Sequence, residues 1–585
     1  MNRKMLVMVA ISLLTGCASG PVDLTKVSHL STIPLNSCDE IKTILSQDFE
    51  TYQSEVDGIS RDYQMEQWRV ETADPKASQE NLSKLFSVLQ EKSYNIEVLK
   101  RAQAVGLATK GLSLAQCPEK ASFLRAQQIL ETSILIDPKV IQKEKENQEA
   151  QDGLMNQSNA FRMEIEGEKE PISKALYGKK LRSLENRKAR YELYRQFNSN
   201  RAKKWTQWGF QNLVKSRNEE ARLAGFKNYY EYRFFRNQLD YKNYREQVQE
   251  IKTKLAPKVR RVLNNLGRQF KIDKVEAWDM GYLREKSSSG EVNKLLQTVS
   301  ETAVLEMAKK FYSNLGIDVD SYHFLMDLYP RAGKNTHAFA MGVVPPHVDS
   351  QRKLLPEPKS DIRFLANLKK PVKWEDASTV IHELGHAIHY GEIRQPLAIL
   401  RGFGSVETEA IAMTLERMAD SAEFLQSVLP EFTGVTPEKL APLLKKQVGV
   451  AQIEQAFVLL RQIFFSDFEH ELYVNPDQDF AVLWAKMHQA YWGVEIPVEH
   501  ADWDVDHFVM APIYVQNYAL GILMVEQFYD SILKEFKTGF KNKKIGDKLK
   551  AKYFTPGLEF DYLTLTQQFT GKKLTAEVAL RLIKD

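Results

Sequence analysis

The sequence has no marked excess of either charge. Its 80 basic and 76 acidic side chains nearly cancel, which removes the electrostatic footprint expected of a nucleic-acid-binding chain and favours a catalytic or binding protein. It also has no internal repeat and no low-complexity tract. Its 28 glycines and 21 prolines are spread thinly, so disordered and repetitive architectures are excluded. Histidine is scarce, with 11 in 585 residues, and a paired-histidine motif therefore arises by chance in few chains of this composition. Cysteine is scarcer still, with three, and their reading depends on the compartment. What remains is a 43% hydrophobic chain long enough to bury a large core.

The first apolar run, Met5 to Leu14 after Arg3 and Lys4, is well short of the ~20 residues needed to cross a bilayer and reads as a signal peptide. It ends in Leu14-Thr15-Gly16-Cys17, which resembles the lipobox of bacterial lipoproteins. That resemblance implies removal of residues 1–16, lipidation of Cys17 and a tether over 17–37. With Ala18 rather than aspartate next, the expected location is the cell envelope, at the outer membrane facing the periplasm. In that oxidising space the remaining thiols, Cys38 and Cys117, are expected to form a disulfide.

Residues 38–175 read as an N-terminal helical region. Leu82, Leu85, Phe86 and Leu89 recur near the helical period. Lys143 to Asp152 is polar enough for a solvated helix face or loop, and a subdomain boundary is expected near Met163 to Pro171. Residues 176–585 read as the catalytic region. Trp205, Trp208, Phe210, Leu213 and Val214 are expected core, and the helix through Arg217 should stop at Gly225 and restart before Tyr232. Around Tyr329 to Met341, turn residues and an alternating run predict a short strand, whose edge would suit an extended peptide.

The chemistry centres on Thr379 to Tyr390. Val380, Ile381, Leu384 and Ile388 supply a helical stripe, uninterrupted by proline between Pro371 and Pro396. His382 and His386, four apart, share a face and suit one metal ion, with Glu383 placed to reach a water beside it. The bland alternative is two helical histidines satisfied in a polar core. A catalytic zinc needs a third ligand, and Glu407, Glu409 and Glu416 on a second helix, reached through Gly402 and Gly404, all qualify by residue type.

Three blocks in order resemble the thimet oligopeptidase and oligoendopeptidase F family of zinc metallopeptidases, and more distantly angiotensin-converting enzyme. They are Tyr329-Pro-Arg-Ala-Gly-Lys-Asn-Thr-His337-Ala338, then His382-Glu-Leu-Gly-His386 continued by Glu409 to Glu416, and then His507-Phe508 with Pro512-Ile-Tyr514-Val-Gln-Asn-Tyr518-Ala519. With the helix from Arg217 to Tyr232, the likeness covers about residues 204–530. It implies a mostly α-helical fold of two halves around a deep cleft, with a small β-sheet at its edge, and one Zn2+ held by His382, His386 and Glu409. It further implies a monomeric enzyme acting on short peptides, with Glu383 as general base and His507, Tyr514 and Tyr518 as candidate hydrogen-bond donors to the developing oxyanion. His337, Ala338, Phe339 and Arg331 are the implied substrate-binding residues. His389 is expected to be a packing or outer residue.

Two departures stand out. Met413 occupies the place where related zinc enzymes outside the family carry an aspartate that orients a ligand histidine, so the orienting group must come from elsewhere. The C-terminal block follows the oligoendopeptidase F form rather than the glycine- and tyrosine-rich loop of thimet oligopeptidase. The rival expectations are a dipeptide-releasing carboxypeptidase, with Arg331 and Lys334 as a basic pocket, and a non-catalytic peptide-binding envelope lipoprotein.

Overall fold

A computed structural model describes residues 38–583, apart from 94, 136, 166–169, 288–289 and 538. The expected signal peptide, Cys17 and the tether fall outside the described residues. The rest is mostly helical, with one three-stranded sheet.

The elements that carry the argument are few. Helix α1 spans Glu50–Glu71, α2 Pro138–Ala160, α3 Phe210–Leu223 and α4 Tyr229–Arg236. Strands β1 (Leu325–Asp327), β2 (Phe339–Val344) and β3 (Asp361–Leu365) follow. Then come α5 (Trp374–Glu392), α6 (Ser405–Ala419), α7 (Pro437–Val474) and α8 (Val515–Glu535). In the sheet, β3 is central, parallel to β1 and antiparallel to β2. Phe339 pairs with Leu365, and the β2 register slips between Gly342 and Val344.

Strand alternation sets what each side of β2 does. Ala340 joins the main core, and a Cβ on Gly342 would come within 2.5 Å of the Tyr390 ring on α5, so the backbone approaches that helix closely. Phe339, Met341 and Val343 face the other way, against Trp68 of α1. The sheet is thus a wedge between α5 and the N-terminal helices.

Two larger cores lie on either side. The main one joins α2, α3, α4 and α5 to α8. A smaller one gathers Ile41, Leu99, Phe123 and Leu130, closed by Ile399 and Leu400 from the loop before α6. Cys38 and Cys117 are joined by a disulfide across this smaller core. Leu82 and Leu89 are buried on one face of their helix, with Leu85 and Phe86 packed beside them, and Gly225 separates α3 from α4 with a φ of +85°. The polar run Lys143 to Asp152 differs from a fully solvated face. It lies within α2 and buries Glu144, Asn147 and Gln151, because these meet polar partners on α3: Asn147 donates to Glu220 at 2.7 Å and Gln151 accepts from Arg217 at 2.8 Å. Val140 and Leu154 of the same helix belong to the main core, so α2 packs with the residues after 176 rather than with the helices before it.

Candidate functional site

Helix α5 begins where Asp376 accepts the Lys373 N–H at 2.8 Å, and Glu375 and Asp376 in its first turn complement the helix dipole. Its apolar stripe, Val380, Ile381, Leu384 and Ile388, is fully buried. The opposite requirement falls on Gly385. A Cβ there would stand 2.9 Å from Leu415 Cδ1, 3.3 Å from the Tyr312 hydroxyl and 3.4 Å from Ala412 Cα. Glycine therefore lets α6 approach α5 closely enough for Glu409 to meet the two histidines.

His382 Nε2 and His386 Nε2 are 3.2 Å apart, and Glu409 Oε2 is 3.7 Å from His382 Nε2. Ligand atoms of all three lie within 4.8 Å of one another. Each imidazole is held from behind: His382 Nδ1 lies 3.2 Å from Glu416 Oε2, and His386 Nδ1 3.1 Å from Thr408 Oγ1. Glu416 is itself fixed by the Ser378 hydroxyl at 3.0 Å. With both Nδ1 atoms engaged, the two Nε2 atoms are the ring nitrogens left to converge with Glu409. Two nitrogens on a tetrahedral zinc stand about 3.4 Å apart, so this donor set fits that ion. Glu416 supplies the orienting carboxylate that Met413 does not, as carboxylates behind metal-bound histidines do. Its seven-residue spacing from Glu409 was the signal for it.

The field differs between the two imidazoles. Burial opposes the charged form of His382, but the hydrogen bond to Glu416 and the charges of Glu383, Glu416 and Glu409 outweigh it and raise its pKa to about 9. Burial, with His382 beside it, drives His386 well below the usual imidazole range. Glu383 is pushed up to about 7, chiefly by burial, with His382 and a hydrogen bond from the Ala340 N–H pulling the other way. A carboxylate next to the two histidines is placed to accept and return a proton.

His507, Tyr514 and Tyr518 cluster together. The Tyr514 and Tyr518 rings are 5.3 Å apart, and the His507 ring lies 6.4 Å from Tyr518. Burial raises the pKa of both tyrosines, that of Tyr518 to about 12, and the charge of Glu409 adds to it. Both hydroxyls therefore stay protonated and able to donate. Tyr514 caps α8 rather than lying within it.

The loop from His507 to Tyr514 is clamped from beneath by residues that the sequence did not single out as functional. Arg217, 1% exposed, donates to the carbonyls of Phe508 and Val509, each at 2.7 Å, to the Tyr473 hydroxyl at 3.1 Å and to Gln151 at 2.8 Å. Ile513 is β-branched yet has a φ of +56°, a conformation costing about 1–3 kcal/mol. Glu469 holds it by accepting its N–H at 2.8 Å, while Asn237 donates to its carbonyl at 3.2 Å. Nothing local in the sequence announces these contacts, because their partners are 44 to 292 positions away.

The other expected site residues make contacts of their own. Phe339 turns its side chain onto Trp68, with ring centroids 6.1 Å apart, because strand alternation directs it away from α5. Its side chain packs in the small cluster with Met341, Val343 and Leu365. Arg331 is bound to the Asp327 carboxylate and to the Thr72 carbonyl. Lys334 is buried on Asp327 at 2.8 Å and on the Tyr329 and Ala366 carbonyls. Both cations tie the loop to its surroundings. His337 is exposed, and Ala338 packs on the main core. Glu407 is buried beside Gly404, away from the histidines, and feels Arg125 and Asp561 instead. His389 is 1% exposed and stacks on Phe403 at 4.5 Å, a packing residue.

Two histidines on one helix with a glutamate from its neighbour, inside a mostly helical body with a small sheet, is an arrangement used by zinc-dependent hydrolases. A family model described as Peptidase family M3 matches residues 180–584, and the chain belongs to that family of metallopeptidases. Oligopeptidase A of Haemophilus influenzae is 21% identical over 459 residues, 68% of this chain and 66% of that one. Among solved structures, PZ peptidase A with an inhibitor superposes with a TM-score of 0.63 at 15% identity, covering 93% of this chain and 95% of its own. An oligoendopeptidase F gives 0.59 at 15% identity over 96% and 97%. A third, an oligoendopeptidase F of Bacillus anthracis str. Ames, gives 0.56 at 15% identity over 86% and 87%. These likenesses extend the fold through the N-terminal helices that the family model leaves out.

Proposed function

We propose that this chain is a zinc-dependent oligopeptidase that hydrolyses short peptides, with His382, His386 and Glu409 holding one Zn2+. The observation that carries the reading is the convergence of two back-braced imidazole nitrogens and the Glu409 carboxylate on one point. When bound there, zinc acidifies a coordinated water and polarises the peptide carbonyl. Glu383 accepts the proton released by the attacking water and returns it to the departing amine. The charge of Glu409 reaches Tyr514 and Tyr518, with His507 beside Tyr518, which supports a hydroxyl from this group as the donor to the oxygen on which negative charge develops.

An internal bond in a short peptide is the preferred substrate, reached through the cleft that the family fold implies and that would exclude folded proteins. The lipobox-like Leu14 to Cys17 supports a lipid-anchored enzyme in the cell envelope, at the outer membrane facing the periplasm, working on peptides there as a monomer. The test is hydrolysis of an internally quenched oligopeptide by the zinc-loaded protein and by Glu383→Ala. Loss of cleavage with metal retained is expected. Full activity in that variant would sink the mechanism.

A further inference from the structure

A tether that ends at Cys38 enters the body beside one helical hairpin. The disulfide holds Cys38 5.4 Å, Cα to Cα, from Cys117, in the loop between the helices Ile96–Ala108 and Lys120–Ser133. Lys42 adds to the join by reaching Glu119 at 3.8 Å. The hairpin is firmly built. Lys120 Nζ donates to the carbonyls of Thr109 and Lys110, each at 3.0 Å, and of Leu112 at 2.5 Å. The Cys117 N–H donates to the Ser113 carbonyl at 3.0 Å, so Leu114 lies within one turn of the disulfide. Inward, Val98, Leu99 and Ala102 meet Phe123, Ala126 and Leu130 in the smaller core.

Its outer side departs from an ordinary protein surface. Between Arg101 and Glu119 the chain carries a single charge, Lys110, in a protein that is 27% charged. Leu107 is 75% exposed, the most exposed large apolar side chain among the described residues, and Leu114 and Leu124 are 57% and 45% exposed. The two helices touch where a Cβ on Gly106 would meet the Gln127 side chain. Leu107 is the next residue on one helix and Leu124 one turn away on the other, with Leu114 in the loop that joins them. A protein partner or a second copy of this chain would take about 20–30 residues a side, more than a hairpin tip offers. A bilayer needs only a few apolar side chains at the boundary of headgroups and acyl chains, and a lone cation suits anionic lipid. The tether strengthens such a contact. A flexible tether of about 20 residues has a root-mean-square length of about 25 Å, which keeps the hairpin at an effective concentration in the millimolar range relative to the membrane.

We propose that the hairpin from Leu107 to Leu124 is a membrane-docking surface, which seats Leu107, Leu114 and Leu124 in the lipid that holds the anchor. This rests on the lipid-anchored reading above and adds an orientation to it. The disulfide fixes the exit of the tether to the docking face, so the body lies against the bilayer instead of swinging on a free tether. The cross-link thereby has a positional role besides its effect on stability.

The experiment places the full acylated chain on vesicles of phosphatidylethanolamine and phosphatidylglycerol whose acyl chains are either brominated or plain. Leu114→Trp is compared with Val482→Trp, an exposed position on the helix Phe480–Trp492 that packs in the main core. Bromine in the acyl region should quench the tryptophan added at 114 and leave the one added at 482 unchanged. In parallel, the unacylated chain from Ala18 onward is mixed with plain vesicles at millimolar lipid, the range that the tether supplies. Leu107→Ser combined with Leu114→Ser should lower its partitioning by about 10-fold or more at an unchanged unfolding temperature, since both side chains are exposed. No quenching at 114, or equal quenching at both positions, overturns the proposal, as does partitioning that is absent or the same in the double variant. Self-association that the double variant abolishes and vesicles do not displace also overturns it, in favour of a second copy of the chain. Should mass spectrometry find no acyl chain on Cys17, the anchor reading fails separately, and partitioning of the unacylated chain still decides whether the hairpin binds lipid.

Discussion

Arg217 offers a direct test of whether the site depends on its buried support. Its guanidinium satisfies four acceptors, two of them carbonyls in the loop between His507 and Tyr514. Lysine keeps the charge but lacks the planar fork, and a single ammonium in that volume leaves about two acceptors without a donor. Each buried acceptor so stranded costs about 1–3 kcal/mol, so Arg217→Lys should lose about 2–6 kcal/mol, divided between global stability and relaxation of the loop. Where the loop relaxes, His507 and Tyr514 move, and a displacement near 1 Å costs on the order of 100-fold in rate. The assay is steady-state hydrolysis of a quenched peptide at a temperature where the variant is folded, with zinc content measured alongside. The expected result is a large fall in kcat, a smaller change in KM and full zinc occupancy, because the ligands come from α5 and α6. A folded, destabilised Arg217→Lys with wild-type kcat would refute the claim that the clamp sets the loop.

Three further outcomes follow. Glu416→Gln removes the carboxylate behind His382 and should weaken zinc binding by about 10- to 100-fold, read by competition with a chelator of known affinity. Burial raises the Glu469 carboxyl from its ordinary 4.5 to about 8, so the folded chain holds that proton more tightly than the unfolded one. Its contribution to stability is then complete below about pH 4.5 and lost as pH rises through about 8, and denaturant unfolding across that window should show a slope that Glu469→Gln reduces. Closing a separation of 79 residues, the Cys38–Cys117 disulfide contributes roughly 4–5 kcal/mol in the chain-entropy treatment. Reduction should therefore lower the unfolding temperature of the wild type and leave that of Cys38→Ser unmoved.

Much of the architecture was legible in local pattern. The stripe Val380, Ile381, Leu384 and Ile388 fixed the buried face of α5 and hence the shared face of His382 and His386, and Gly225 marked a helix end. The pairing of His382 with His386 needed only their own spacing. Glu409 was separable from Glu407 by resemblance alone, since two carboxylates two apart differ by which side of α6 they face, and that depends on the approach permitted by Gly385. The strand at Phe339 was legible, but not its phase, and the phase decides that Phe339 packs on Trp68 while Ala340 faces Glu383. Arg331, Lys334 and Arg217 are alike as letters in the sequence. Only the fold distinguishes two cations that tie a loop from one that clamps the segment between His507 and Tyr514.

The central claim is that metal at His382, His386 and Glu409 enables peptide hydrolysis. Metal-free protein titrated with Zn2+ while hydrolysis of a quenched oligopeptide is followed tests it most directly. Activity should rise linearly and break at one equivalent per chain, and the break should vanish in His386→Ala. Hydrolysis that is undiminished without metal, or an unchanged titration in His386→Ala, would contradict it.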